Sequence, residues 1–185
     1  MSAGDLPANE RNSANTTSGT VSSKDRNPTY YTSNRRSIDE IDQDEIMTAI
    51  RDVFKSGESL DPDTAITQIA RVLGLRRTGA RITEVLRSGL RTAIRRHVVN
   101  RDKGVITIEC STIDDYARDE LIETLLAAMG STWRDREDAI RAAARRLGFR
   151  RTGNRITKTF KSAINCGIRR EELESNGRSI RRRKS

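Results

Sequence analysis

Apolar residues recur with a helical period in two successive sets of three stretches, and each set ends in alternating positions. In the first stretch Ile46, Ala49, Ile50, Val53 and Phe54 fall at i, i+3, i+4, i+7 and i+8, one stripe of a helix. Asp44 and Glu45 stand at its start, where the helix dipole favours acids. The second stretch opens with Asp61-Pro62, a capping carboxylate before a proline at the first helical position, and carries Ile66, Ile69, Ala70 and Leu73. Gly74 stops it. A turn over Leu75–Arg77 leads to Thr78, expected as the N-cap of a third helix that runs to about Arg96. Ile82, Val85, Leu86, Leu90, Ala93 and Ile94 share one face of that helix, and Glu84, Arg87, Ser88, Arg91 and Arg95 share the other. Val98-Val99 and Val105–Glu109, separated by Arg101–Gly104, predict a two-stranded hairpin.

The second set repeats the first. Arg76-Arg77-Thr78-Gly79-Ala80-Arg81-Ile82-Thr83 returns as Arg150-Arg151-Thr152-Gly153-Asn154-Arg155-Ile156-Thr157, with seven of eight positions identical at an offset of 74. Leu121, Leu125, Ala128 and Met129, widened by Ile122, form the first stripe. Asp135, Ile140, Ala143, Ala144, Leu147 and Gly148 mark the second helix. The third buries Ile156, Phe160, Ala163, Ile164 and Ile168 and exposes Lys158, Lys161, Ser162, Asn165 and Arg169. Leu173, an Asn176-Gly177 turn and Ser179-Ile180 give a shorter hairpin. Three helices, the last two joined by a tight turn, then a hairpin, is the order of a winged helix-turn-helix unit, with the third helix for recognition and the hairpin as wing. The expected fold is therefore mainly α with small β-hairpins: two tandem winged helix-turn-helix domains, residues 38–113 and 114–185, after a tail. Residues 1–37 are rich in Ser, Thr, Asn and Gly and lack periodicity, so that tail is expected to be disordered.

Charge sharpens this. The chain has 185 residues, 35 Lys+Arg, 26 Asp+Glu and one His, for a net charge of +9. The tail carries +2, residues 38–113 balance at 0, and residues 114–185 carry +7. Arg71–Arg101 holds nine arginines and one acid, Glu84, while Arg141–Arg170 holds ten basic residues and no acid. Residues 38–70 hold nine acids and two bases. Basic blocks around the second and third helices suit nucleic acid. One His and two Cys, Cys110 and Cys166, argue against a four-ligand zinc site, a disulfide framework and His-based catalysis beyond His97. No metal, cofactor or catalytic residue is expected, and the chain is expected not to be an enzyme. No apolar run suits a membrane span, and Met1–Glu10 lacks the pattern of a signal peptide, so the expected location is cytoplasmic, with the nucleoid if DNA is bound.

At Leu73-Gly74-Leu75-Arg76-Arg77-Thr78-Gly79-Ala80-Arg81-Ile82, and again around Gly148 and Gly153, the chain resembles a bacterial domain of unknown function found at the C-termini of large superfamily 1 helicase-like proteins. The resemblance implies a small module that accompanies DNA- or RNA-processing machinery in a bacterium or its mobile elements, and a helicase- or nuclease-type protein partner. No Gly-x-x-x-x-Gly-Lys-Ser/Thr motif occurs, so ATPase activity does not carry over.

The residues expected to meet nucleic acid are Arg76, Arg77, Arg81, Arg87 and Arg91 in the first unit, and Arg150, Arg151, Arg155, Lys158, Lys161, Asn165 and Arg169 in the second. The motif arginines stand at the end of the recognition helix that reaches base edges, and the remaining cations suit phosphates. The plainer reading has Arg81 and Arg155 bridging the acidic first helix of the same domain. Glu84 interrupts the first basic face, which points to weaker binding there. The basic Arg178–Lys184 end adds phosphate-contact potential. Few aromatics, 4%, disfavour a base-stacking single-strand platform and favour duplex DNA. The leading expectation is a non-catalytic nucleic-acid-binding protein that takes double-stranded DNA on two recognition helices, a regulator or accessory factor to DNA-processing machinery whose two domains mimic a helix-turn-helix dimer. The alternative is a protein–protein interaction adaptor.

Overall fold

Each repeat begins with a short polar turn that seals its core. In the computed structural model, which describes residues 37–183, Ser37 opens a 3-10 turn over Ile38–Glu40. Its backbone N–H donates to the Glu40 carboxylate at 3.1 Å, and its hydroxyl accepts from Asp39. Thr112 opens the matching turn over Ile113–Asp115, its N–H donating to Asp115 at 2.7 Å. Ile38 and Ile113 are thereby turned inward and buried. Ser37 is thus part of the folded unit, and the rest of the expected disordered tail, residues 1–36, lies outside the described residues.

The six helices among the described residues follow the periodicity. They are α1 (Gln43–Phe54), α2 (Pro62–Val72), α3 (Ala80–Arg95), α4 (Arg118–Met129), α5 (Arg136–Arg146) and α6 (Asn154–Arg169). Asp42, Asp61 and Asp135 cap α1, α2 and α5 with their carboxylates. The third helix of each repeat differs: its N-cap is Gly79 or Gly153, not Thr78 or Thr152, and no side chain caps it. The first helical bonds run from Thr83 N–H to Gly79 O and from Thr157 N–H to Gly153 O.

The strands are β1 (Val99–Asp102), β2 (Val105–Ile108), β3 (Arg134–Asp135), β4 (Leu173–Ser175) and β5 (Ser179–Arg182). Arg101 and Asp102 belong to β1 and not to the turn. The turn is Lys103-Gly104, both at positive φ, as a two-residue hairpin with right-handed strand twist demands. The second sheet gains a strand the sequence did not announce: β3 pairs with β5, giving the order β3-β5-β4. Two residues are too few to show alternation. In the first repeat the equivalent contact is a single bridge between Leu60 and Ile106.

Each repeat encloses its own core. Ile46, Ile50, Phe54, Ile69, Leu86, Leu90 and Ile106 fill the first. Leu121, Ile122, Leu125, Ile140, Phe160, Ile164 and Ile180 fill the second, which begins at Cys110.

One arginine joins the two. Arg51 projects from α1 and is 9% exposed, the one buried charged side chain among the described residues. Its Nε donates to Leu147 O at 3.0 Å, Nη1 to Cys110 O at 2.7 Å and Ser111 O at 3.1 Å, and Nη2 to the Tyr116 hydroxyl at 2.7 Å. Its guanidinium carbon lies 4.1 Å from the centre of the Phe149 ring. Beside it Arg96 donates to Arg146 O at 2.6 Å. Two arginines of the first repeat thus satisfy carbonyls at the end of α5, the negative pole of that helix. Gly148 sits at φ +82 there, and a Cβ would lie 2.7 Å from Met47 O, so the close approach needs glycine.

His97 bridges the same junction. Its Nδ1 lies 2.8 Å from the Glu109 carboxylate and its Nε2 3.4 Å from Glu120. The hydrogen bond to Glu109 raises its pKa above the ordinary 6.5. Partial burial opposes the rise, and Glu120 adds to it.

Two outcomes follow for the fold. Arg51→Ala leaves carbonyls and a hydroxyl without their donor, and is expected to cost about 2–4 kcal/mol in urea unfolding, a loss that Arg51→Lys does not recover. Because folding raises the His97 pKa, its contribution is fully present below pH 6.5 and is lost as pH rises through the folded value. The urea midpoint of the intact chain should therefore drop more than that of His97→Asn between about pH 6 and pH 8.

Candidate nucleic-acid interface

The third helices expose the faces that the periodicity assigns. On α3, Arg81, Glu84, Arg87, Ser88, Arg91 and Arg95 are exposed, while Leu86, Leu90 and Ala93 are buried. On α6, Arg155, Lys158, Lys161, Ser162, Asn165 and Arg169 are exposed, while Phe160, Ala163 and Ile164 are buried. Arg76 and Arg77, and Arg150 and Arg151, are exposed in the turn before each helix.

The cations divide into two groups. In the first group each is tied to an acid. Arg81 grips Asp39 with Nε at 3.1 Å and Nη2 at 2.6 Å, and Arg155 bonds Asp114 at the equivalent place. Arg87 pairs with Asp63 at 3.2 Å, and Lys161, its counterpart 74 residues on, pairs with Glu137, the counterpart of Asp63, at 2.8 Å. Both pairs therefore occur twice: one ties the third helix to the opening 3-10 turn, the other ties it to the start of the second helix. Arg150 is tied differently, to Asp52 of the other repeat.

The second group has no acid partner among the described residues: Arg76, Arg77, Arg91 and Arg95 in the first repeat, the last bonded only to the Thr92 hydroxyl, and Arg151, Lys158 and Arg169 in the second. Asn165 also has no side-chain hydrogen bond among the described residues. Of these, Arg76, Arg77 and Arg151 stand beside helix N-termini whose first N–H groups no side chain caps, while Arg91, Arg95, Asn165 and Arg169 lie in the C-terminal halves of the helices.

The hairpin of the second repeat offers less than its composition promises. Arg178 pairs with Asp135 at 2.9 Å, Arg181 with Glu174 at 2.6 Å and Arg183 with Glu171 at 2.8 Å. Arg181 also covers the half-exposed Trp133 ring, 4.6 Å from its centre. Lys184 lies outside the described residues.

Other chemistry is sparse. Cys110 and Cys166 are free, buried thiols, and burial pushes Cys110 up to about 11. Among the described residues no group of His, Cys, Asp and Glu could hold a metal ion, and no helix is long and apolar enough to cross a membrane. Sequence reasoning missed Arg51, Asp52 and Arg96, which hold the repeats together. The available signal was the mismatch between copies: Arg51-Asp52 aligns with Leu126-Ala127.

The hydrogen bonds from Arg81 and Arg155 hold the Asp39 and Asp114 carboxyls below the usual 3.8. Depressed folded values mean stability that is present above pH 3.8 and lost as pH falls through the folded pKa. The double variant Arg81→Gln, Arg155→Gln should be less stable than the parent at neutral pH. Its acid unfolding curve should be flatter and converge with the parent curve at the lowest pH, as followed by circular dichroism.

No family model matches the chain, and no curated protein or solved structure is significantly similar to it.

Proposed function

We propose that the chain is a non-catalytic nucleic-acid-binding protein that sets the exposed faces of α3 and α6 against double-stranded DNA. Each repeat acts as a winged helix-turn-helix unit. The observation that carries this reading is the second group of cations: arginines and one lysine, exposed and without acid partners among the described residues, at the head and along the outer face of both third helices. Surface cations that a fold needs are paired, as Arg81, Arg87, Arg155 and Lys161 are. Those left over are free to replace the counterions of a phosphate backbone. The uncapped N–H groups at Ala80 and Asn154 suit a phosphate oxygen at the same end.

The element order supports the reading: a tight α2-to-α3 turn, a hairpin after the third helix, and a short strand or bridge between the first two helices that meets the hairpin. The likeness to a domain accompanying helicase-like proteins agrees with an accessory or regulatory role in the bacterial cytoplasm, at the nucleoid, beside a helicase- or nuclease-type partner. A second reading, a protein-interaction adaptor, draws on one observation. Val72 is 47% exposed beside the half-buried Leu75, on a turn whose counterpart in the second repeat is covered by α1.

Titration of labelled duplex and single-stranded DNA with the intact chain at low and moderate salt tests the proposal. Duplex binding should weaken steeply with salt. The double variant Arg76→Ala, Arg77→Ala and the triple variant Arg151→Ala, Lys158→Ala, Arg169→Ala should reduce the salt slope by about 2 and about 3 respectively. Absence of duplex binding at low salt overturns the proposal and leaves the adaptor.

A further inference from the structure

Two units that mimic a symmetric dimer must meet through one patch used twice, so that if residue i of one touches residue j of the other, j of the first touches i of the second. The two repeats here do not. The first contributes Met47, Arg51 and Asp52 of α1, with Arg96 and His97 after α3. The second contributes the end of α5 and the turn after it, Arg146 to Arg150, with Glu120 of α4.

Among the described residues the counterparts of Arg51, Asp52, Arg96, His97 and Gly148 make no reciprocal contact, and the sequence forbids most such contacts. Arg51 and Asp52 are replaced by Leu126 and Ala127, which have no charge to offer Leu73 O or Arg76. Arg96 corresponds to Arg170, which pairs with Asp119 of its own repeat instead of reaching the end of α2. His97 corresponds to Glu171, which pairs with Arg183. Gly148 lies against the Met47 backbone, whereas a Cβ on Gly74 would meet nothing within 4 Å. α1 packs on α5, while α4 makes no comparable contact with α2.

Resting on the nucleic-acid reading above, we infer that the site this chain recognises is a tandem of two half-sites in the same orientation, and not a palindrome. Inverted half-sites mirror a dyad between the reading helices. Head-to-tail packing has no such dyad, so the third helices lack the symmetry that inverted half-sites require. Because Arg51 fixes the junction through buried bonds, the spacing of the half-sites is single-valued.

The half-sites are also unequal, in a defined way. Arg91 on α3 and Asn165 on α6 are equivalent positions, 74 residues apart, both exposed and both without acid partners among the described residues. A guanidinium matches the O6 and N7 acceptors of guanine, and a carboxamide matches the N6 donor and N7 acceptor of adenine. Guanine in the half-site under α3 is thus replaced by adenine in the half-site under α6.

Selection of sites from a randomised duplex library by the intact chain tests this. The enriched halves are then rebuilt in direct, inverted and everted orientation over a range of spacings. The direct arrangement should bind at least about tenfold more tightly than the inverted one, at one spacing. Arg91→Ala and Asn165→Ala should each relax preference at one base of one half-site. A preference for inverted halves, or enrichment with no paired halves, overturns the inference while leaving nucleic-acid binding intact. Failure to retain any duplex overturns the nucleic-acid reading and the inference with it.

Discussion

The relation between the two repeats depends on Arg51. A guanidinium removed from water is costly unless its donors are satisfied, and here no carboxylate does so. The partners are three backbone carbonyls, one hydroxyl and an aromatic face. The positive charge is balanced by oriented dipoles, and those dipoles exist only if α5 ends where it does, if Cys110 and Ser111 run past the end of α1, and if Tyr116 and Phe149 close the sides. Arg51 therefore constrains the linker, the first turn of the second repeat and the end of α5 together. Gly148 is the steric counterpart of the same constraint: the guanidinium reaches Leu147 O because the backbone of Met47 can lie against a residue without a Cβ.

Within each repeat a different pair does the equivalent work. Arg81 with Asp39, and Arg155 with Asp114, fasten the third helix to the turn that opens the unit. These arginines lie in the most strongly repeated motif of the chain, which made them candidates for ligand contact as well as for pairing. Their repetition comes with repetition of the acid: Ser37-Ile38-Asp39-Glu40 and Thr112-Ile113-Asp114-Asp115 match at an offset of 75. Surface pairs of this sort add little stability individually. What they fix is the direction in which the third helix leaves the turn.

Helix positions and core residues were legible because buried faces obey a period, and Ile46, Ile69, Leu86 and Phe160 fall where the stripes put them. The hairpins were legible from alternation and from Asn176-Gly177, although the first turn, expected over Arg101–Gly104, is Lys103-Gly104 alone. Three features were not. The cap of the third helix is Gly79, because an N-cap requires extended backbone and a free carbonyl, which glycine supplies as well as threonine. β3 is two residues long, shorter than any period. The junction was hidden because Arg51 on its own helix reads as a solvated charge, and only the packing of the other repeat buries it. On the candidate face the exposed residues could be read from the helical wheel. Which of them are occupied by acids could not, since Asp63, Glu137 and Asp114 reach them from other elements.

Net charge misleads for the same reason. The second repeat carries +7 and the first is neutral, a contrast that suggests unequal affinity for an anion. Yet the exposed cations without acid partners on these faces number four and three, among the described residues: Arg76, Arg77, Arg91 and Arg95 against Arg151, Lys158 and Arg169. Arg178, Arg181 and Arg183 of the second hairpin are held by Asp135, Glu174 and Glu171, and the surplus of the second repeat lies on other exposed cations without acid partners among the described residues, such as Arg118, Arg145 and Arg182. In the first repeat the acids that cancel the charge stand mostly on α1, on the start of α2 and in the opening turn, and of these Asp39 and Asp63 reach Arg81 and Arg87 of α3. What a ligand meets is the local excess on a face, and there the two repeats differ by one cation and in arrangement, not by the whole difference in net charge. Glu84 stands in α3 where Lys158 stands in α6, and Arg91 where Asn165 does. The copies differ most at Arg51-Asp52, where they join, and at Glu84 and Arg91, where they face outward. Between those places the motif is almost unchanged.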